Sequence, residues 1–142
     1  MNPIKNALLS MFALGCLVGS ASAADYFPVS RITTKDGYSI TAVQRAQKDA
    51  KACEAANARF TEPFKSTCET CSVQWSRCKT KLDGQESAAI GGKALKSYSV
   101  VLPRMRMILT GEAAKAACER IAFQTRQQGV QQAKCLNPGA RN

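Results

Sequence analysis

The chain reads as an α+β protein: a small, disulfide-stapled domain of two strand–helix–strand repeats, with both helices on one face of a sheet. Three observations carry that expectation. Cysteines follow a helix-then-strand pattern twice, at Cys53 and Cys78 and again at Cys118 and Cys135. Apolar spacing along the chain switches between three-to-four and two, the periods of helix and strand. The first residues carry an export signal, which puts the remaining cysteines in an oxidising compartment.

The export signal is Lys5 followed by an apolar run from Ala7 to Val18 and then Gly19-Ser20-Ala21-Ser22-Ala23. An A-x-A ending at Ala23 sets cleavage before Ala24. The run is shorter than the roughly 20 residues that cross a bilayer, so no transmembrane span is expected in the mature chain. Residues 1–23 are expected to be a signal peptide and 24–142 a single domain, periplasmic or secreted. Cys16 leaves with the signal, so the cysteine count falls from 7 to an even 6. An even count in an exported chain reads as a disulfide framework. Lys5 is the one charge removed, and the net charge falls from +10 to +9.

Residues 25–44 read as a β-hairpin. Tyr26, Phe27, Val29 and Ile32 precede Lys35-Asp36-Gly37, and Tyr38, Ile40 and Val43 follow it. Asp-Gly is a hairpin turn signal because both positions tolerate positive φ. Ala46, Ala50, Cys53, Ala56 and Phe60 share one helical face, and Pro63 is expected to end that helix. Val73 and Trp75 alternate with polar residues and lead as a strand to Cys78. Residues 83–96 read as a loop joining two halves, 38–82 and 97–136. Tyr98 to Leu109 is rich in β-formers, with an edge strand, a bulge or a break expected at Pro103. Thr110 is expected to cap a second helix bearing Ala114, Ala117, Cys118, Ile121 and Ala122 on one face, with Gly129 stopping it. Val130 to Cys135 is expected to be the last strand, followed by a frayed tail.

The halves match where the cysteines lie. Lys51-Ala52-Cys53-Glu54 answers Ala116-Ala117-Cys118-Glu119, and the segment Val73 to Cys78 answers Val130 to Cys135. Among the pairings that six cysteines allow, this match selects Cys53–Cys78, Cys118–Cys135 and Cys68–Cys71. The main rival is Cys53–Cys71 with Cys68–Cys78. Two such units side by side would give a ferredoxin-like sheet of about four or five strands with both helices on one face. That layout resembles, in fold alone, the small repeat domains that bind septal peptidoglycan. Their glutamine–glycine–aromatic strand signature is absent here.

Composition excludes much chemistry. The chain has no histidine, so a Ser–His–Asp triad is impossible. Haem attachment through C-x-x-C-H fails because residue 72 is Ser. Zinc on Cys53, Cys68, Cys71 and Cys78 has correct spacing at one pair, but an oxidising compartment opposes it. No metal, cofactor or catalytic residue is therefore expected. Arg77, Lys134, Arg104 and Arg106, with Trp75 as a stacking platform, form the candidate basic binding face. The alternation from Leu102 to Met107 places both of its arginines on one solvent-facing side. The expected function is that of an exported, non-enzymatic envelope binding or assembly-accessory protein. Its basic surface would engage an anionic envelope component or an acidic envelope protein, and no nucleic acid. The alternative is a thiol–disulfide oxidoreductase using Cys68-Glu69-Thr70-Cys71.

Overall fold

Two β-hairpins meet edge to edge at the centre of the sheet. In the computed structural model, which describes residues 24–142, β1 (Phe27–Thr34) and β2 (Ser39–Gln44) form the first hairpin. The second is β4 (Tyr98–Leu102) with β5 (Met105–Thr110). β2 pairs antiparallel with β5, setting Ala42 opposite Met107 and Val43 opposite Arg106. Helix α1 (Ala50–Ser66) follows the first hairpin and returns the chain as β3 (Cys71–Lys79). Helix α3 (Ala114–Gln127) follows the second and returns it as β6 (Lys134–Leu136). The sheet has six strands in the order β3-β1-β2-β5-β4-β6, antiparallel at every contact. The signal segment and Cys16 lie outside the described residues. Among the described residues, no helix is long and apolar enough to cross a membrane.

The sheet is therefore larger than expected, and its strands do not interleave as a ferredoxin-like sheet requires. Each long helix joins two strands that flank a third from its own hairpin: β2 and β3 around β1, β5 and β6 around β4. β1 precedes the expected first half and fills the gap. A third helix, α2 (Gly84–Ile90), lies in the stretch expected to be a loop. Asp83 starts it with a capping box: its carboxylate accepts from the Glu86 N–H at 2.8 Å, and Glu86 accepts from the Asp83 N–H at 3.0 Å.

Several boundaries move for local reasons. Gly37 alone in the first hairpin turn takes a positive φ, +83°, so the turn is not the two-residue type that Asp-Gly signals. It closes instead with the Thr34 N–H donating to Tyr38 O at 3.1 Å. α1 begins after Asp49, whose carboxylate accepts from the Ala52 N–H at 2.7 Å. It runs past Pro63, because a proline in the last turn removes only one helix bond. Pro103 lies between β4 and β5, where a missing N–H breaks no ladder. Thr110 is still strand, paired with Ser39, so α3 starts at Ala114 without a side-chain cap. Gly129, at φ +99°, ends α3 as expected. The last strand shrinks to three residues. The tail is pinned: Gly139 N–H donates to Leu95 O at 2.8 Å and Asn142 N–H to Gly92 O at 3.1 Å.

One face of the sheet packs both long helices. Ile32, Ile40, Ala42, Val100, Met107 and Leu109 meet Ala114, Ala117, Cys118 and Ala122 of α3, with Phe60 and Phe64 of α1 against them. On the other face Val29, Val43 and Ile108 pack under Ala89 of α2 and Leu95. A bulge sorts β3 between the two faces. Ile32 pairs with Val73 but Arg31 pairs with Trp75, which leaves Gln74 over. Val73 thus joins the helix face and Trp75 the α2 face. Strict alternation would have put Val73 and Cys78 on opposite sides. The bulge returns Cys78 to the helix side, where it bonds Cys53 with their Cα atoms 5.9 Å apart. The other disulfides are Cys118–Cys135 and Cys68–Cys71, at 5.4 and 5.3 Å.

The turn after β5 abuts the first hairpin. Gly111 has φ +112°, and a Cβ there would meet the Gly37 carbonyl oxygen and lie 3.0 Å from Tyr38 Cα. Gly111→Ala should therefore destabilise the domain by roughly 1–3 kcal/mol through strain. Gly129→Ala, whose Cβ meets nothing within 4 Å, should cost only the backbone term of about 1 kcal/mol. Urea unfolding of the two variants checks the difference. Replacing Cys118 and Cys135 together by Ala should cost about 2–5 kcal/mol in the same assay.

Candidate functional site: a basic row and a buried arginine

The register places three of the four expected basic residues on one row across the sheet. Arg77 pairs with Val29, Val29 with Val43, and Val43 with Arg106. Arg106 pairs with Val101, and Val101 with Lys134. Cross-strand partners share a face, so Arg77, Arg106 and Lys134 all point to the α2 side. They do not form an open strip. Arg77 and Lys134 sit on opposite edge strands, roughly 24 Å apart at about 4.8 Å per strand step. The row between them is apolar and buried, and Arg106 itself is only 2% exposed. Arg104 leaves the row, because the chain turns there between β4 and β5. The expected sharing of a solvent-facing side by Arg104 and Arg106 is thus corrected: α2 and the loop after it cover the centre of that face.

Trp75 and Arg77 do come together. The Arg77 guanidinium lies 5.1 Å from the Trp75 ring centroid and the Lys79 ammonium 5.4 Å from it. The indole packs at the margin of the cluster under α2. Lys79 also donates to Glu86 Oε1 at 2.6 Å, and Glu86 is 3% exposed. Residue types explain the arrangement. A buried carboxylate needs both a charge partner and a backbone donor, and Lys79 and the Asp83 N–H supply them.

Arg106 is held differently. Its Nε donates to Ser99 Oγ at 3.0 Å and its Nη1 to Lys93 O at 2.8 Å. Its Nη2 is buried without a hydrogen-bond partner among the described residues. No acidic side chain neutralises it there, and burial pushes the guanidinium below its ordinary pKa. Arg106 lines a cavity of about 90 Å³ together with Arg45, Arg104, Ala89, Pro103 and Asn142. The Arg45 N–H donates to Arg104 O at 2.9 Å, which fixes the end of β2 beside the β4–β5 turn. Arg45 and Arg104 are both exposed at the rim.

The Cys68–Cys71 pair sits between the C-terminal end of α1 and the start of β3. The negative end of a helix dipole disfavours a thiolate, the opposite of what thiol catalysis uses. Thr70 ties the turn down: its Oγ1 donates to Asp36 Oδ2 at 2.8 Å, and its carbonyl accepts from the Lys35 N–H at 3.0 Å. All four cysteines considered for zinc are in disulfides.

Sequence pattern missed two parts of this site. Glu86 was legible as the third residue after Asp83, a capping-box spacing hidden by the Gly-rich composition of its segment. Arg45 carries no signal, since only the meeting of β2 with β5 brings it to Arg104. The chain matches no protein-family model, no curated protein and no solved structure.

Truncating Lys79 to Ala should strand the buried Glu86 carboxylate and destabilise the domain by about 1–3 kcal/mol. Pairing Lys79→Ala with Glu86→Gln should recover part of the loss, because the charge needing a partner is gone. A double-mutant cycle in urea measures the coupling.

Proposed function

We propose that this chain is an exported, non-catalytic binding or assembly-accessory protein. Its basic surface engages an anionic envelope component or an acidic envelope protein, in the periplasm or outside the cell. One observation carries the reading: the cations are largely unneutralised. All but one of the chain's 20 Lys and Arg, and all 10 of its acidic residues, lie in the described part. Among the described residues a single ion pair forms, Lys79–Glu86. The remaining charge is available to a partner. Three disulfides support the reading, since a frame already ordered loses little entropy on binding. The matching order of hairpin, helix and strand on the two sides of the β2–β5 contact we read as duplication of one unit.

A second reading, a thiol–disulfide oxidoreductase, has one observation in its favour: Cys68 and Cys71 are only half-buried, on a surface turn. Its reduction potential separates the readings, because structural bridges lie below about −300 mV and catalytic oxidants well above it.

Reversing Arg77 and Lys134 to Glu tests the binding reading at the two exposed ends of the basic row. With about 1 kcal/mol per cation near an anionic surface, association with isolated envelope fractions should weaken about tenfold or more at low salt. The difference should shrink as salt rises, and the unfolding midpoint should stay put. Association indifferent to both the reversal and salt would refute an electrostatic partner. Mass measurement of the exported protein should give Ala24 as its first residue.

A further inference from the structure

We propose that the groove between α1 and the outer edge of β3 binds an extended segment of an acidic partner protein, which adds to the sheet as a seventh strand. β3 ends the sheet, and no strand lies beyond it among the described residues. Its bonding direction follows from β1. The Thr34 N–H donates to Tyr38 O on the β2 side, and the Lys35 N–H to Thr70 O on the β3 side. Odd-numbered residues of β1 therefore bond toward β3, where Val29 meets Arg77 and Phe27 meets Lys79. Ser76 and Cys78 alternate with Arg77 and Lys79, so their N–H and C=O groups point away from the sheet. Donors and acceptors in alternation along an edge match another extended backbone. The opposite edge strand, β6, has three residues and offers no comparable length.

α1 supplies the wall of the groove. Phe60 and Phe64 turn toward the core. Ala50, Glu54, Ala58 and Lys65 lie about a quarter turn away, on the flank that faces Ser76 and Cys78. Ala50 and Ala58 are exposed and present only methyl groups, so no bulky side chain of theirs closes the space. The groove holds about 680 Å³. From Ala50 to Lys65 the helix runs roughly 22 Å, at about 1.5 Å per residue. An extended segment of about seven residues spans that length.

Side chains of an added strand would alternate between the two faces. Those on the helix side meet Ala50 and Ala58, which suits small apolar residues. Those on the other side meet Arg77, which is exposed and lies 5.1 Å from the Trp75 ring centroid. That side suits carboxylates. A second copy of this chain fits less well, because antiparallel pairing over the same stretch sets Arg77 against its own image.

This inference rests on the proposed function for the sign of the partner's charge. The probe is a capped heptapeptide alternating valine and glutamate, added to the whole domain. Its controls are a scrambled peptide and one N-methylated throughout. The readout is amide hydrogen exchange and chemical shift at Ser76 and Cys78. The alternating peptide should bind saturably and slow exchange at both amides, and neither control should. Ala58→Arg, at an exposed helix position, should fill the groove and weaken binding about tenfold or more. Ser76→Pro should weaken it likewise by removing an outward N–H, a change that an edge strand tolerates. If that variant does not fold, Ala58→Arg decides alone. Arg77→Glu should weaken the glutamate peptide and strengthen one with lysine in its place. Unchanged exchange at Ser76 and Cys78 overturns the proposal. So does equal binding of the N-methylated peptide, or an Ala58→Arg variant that binds as the natural protein does. Protection of the two amides that grows with protein concentration, without peptide, marks a second copy as the occupant and overturns it too.

Salt-sensitive envelope association with no peptide bound at β3 sinks the groove alone. A peptide-filled groove with salt-insensitive envelope association sinks only the broader reading.

Discussion

Two disulfides hold the ends of the sheet to the helices that cover it, and the seating of both helices on the sheet depends on them. Cys53–Cys78 and Cys118–Cys135 each join a long helix to the outer strand that follows it. The helices need the help. The buried residues of α1 are Cys53, Ala56, Asn57 and Thr61, and those of α3 are Ala114, Ala117, Cys118 and Ala122. Such small side chains let the helix sit close to the sheet but remove little apolar surface from water. One large apolar side chain on α3, Phe123, points away and is 55% exposed. The outer strands are weak anchors too, since β3 is exposed along much of its length and β6 has three residues. A covalent bond supplies what apolar burial does not.

On the first half a polar network reinforces the bond. Asn57 accepts from Ser30 Oγ at 3.0 Å and donates to Arg77 O at 2.9 Å, and Ser30 lies 2.9 Å from Ser76 Oγ. Helix, inner strand and edge strand are thereby joined through side chains as well as through sulfur. Because Asn57 reaches the backbone of Arg77 from the helix side, the Arg77 side chain faces the other way, toward Trp75. The same staple that closes the core thus sets where the exposed basic end of the row lies.

The legibility of the chain follows from how local each signal is. The first hairpin, both long helices and the disulfide pairs could be read from spacing, because each rests on periodicity or on cysteines at matching places; the second hairpin was visible only as a β-rich stretch interrupted at Pro103. Parity and the repeat joined Arg77, Lys134, Arg104 and Arg106 in one expected face; the register sets Arg77, Arg106 and Lys134 on one side of the sheet and leaves Arg104 in the turn. What parity cannot report is what covers a face. α2 is seven residues long and opens on glycine, so its segment looked like a loop by composition. Yet α2 and the Lys93 carbonyl after it turn Arg106 from a surface cation into a buried one. The bulge at Gln74 was equally silent, since an extra residue leaves no mark in an already polar edge strand. Six strands instead of four or five follow from β1 and β4, which fill the space between the strands that each helix connects.

The two staples also make the folded state conditional on chemistry outside the chain. In reducing surroundings the thiols of Cys53, Cys78, Cys118 and Cys135 stay separate, and the sequence distances they span, 25 and 17 residues, remain open loops. The inner hairpins are local and can pair without them, whereas the outer strands have to return past a whole helix. Electron acceptors in the surroundings therefore act as a clock for the last stage of assembly. Until they are met, each outer strand is held beside its neighbours by ladder hydrogen bonds and packing alone.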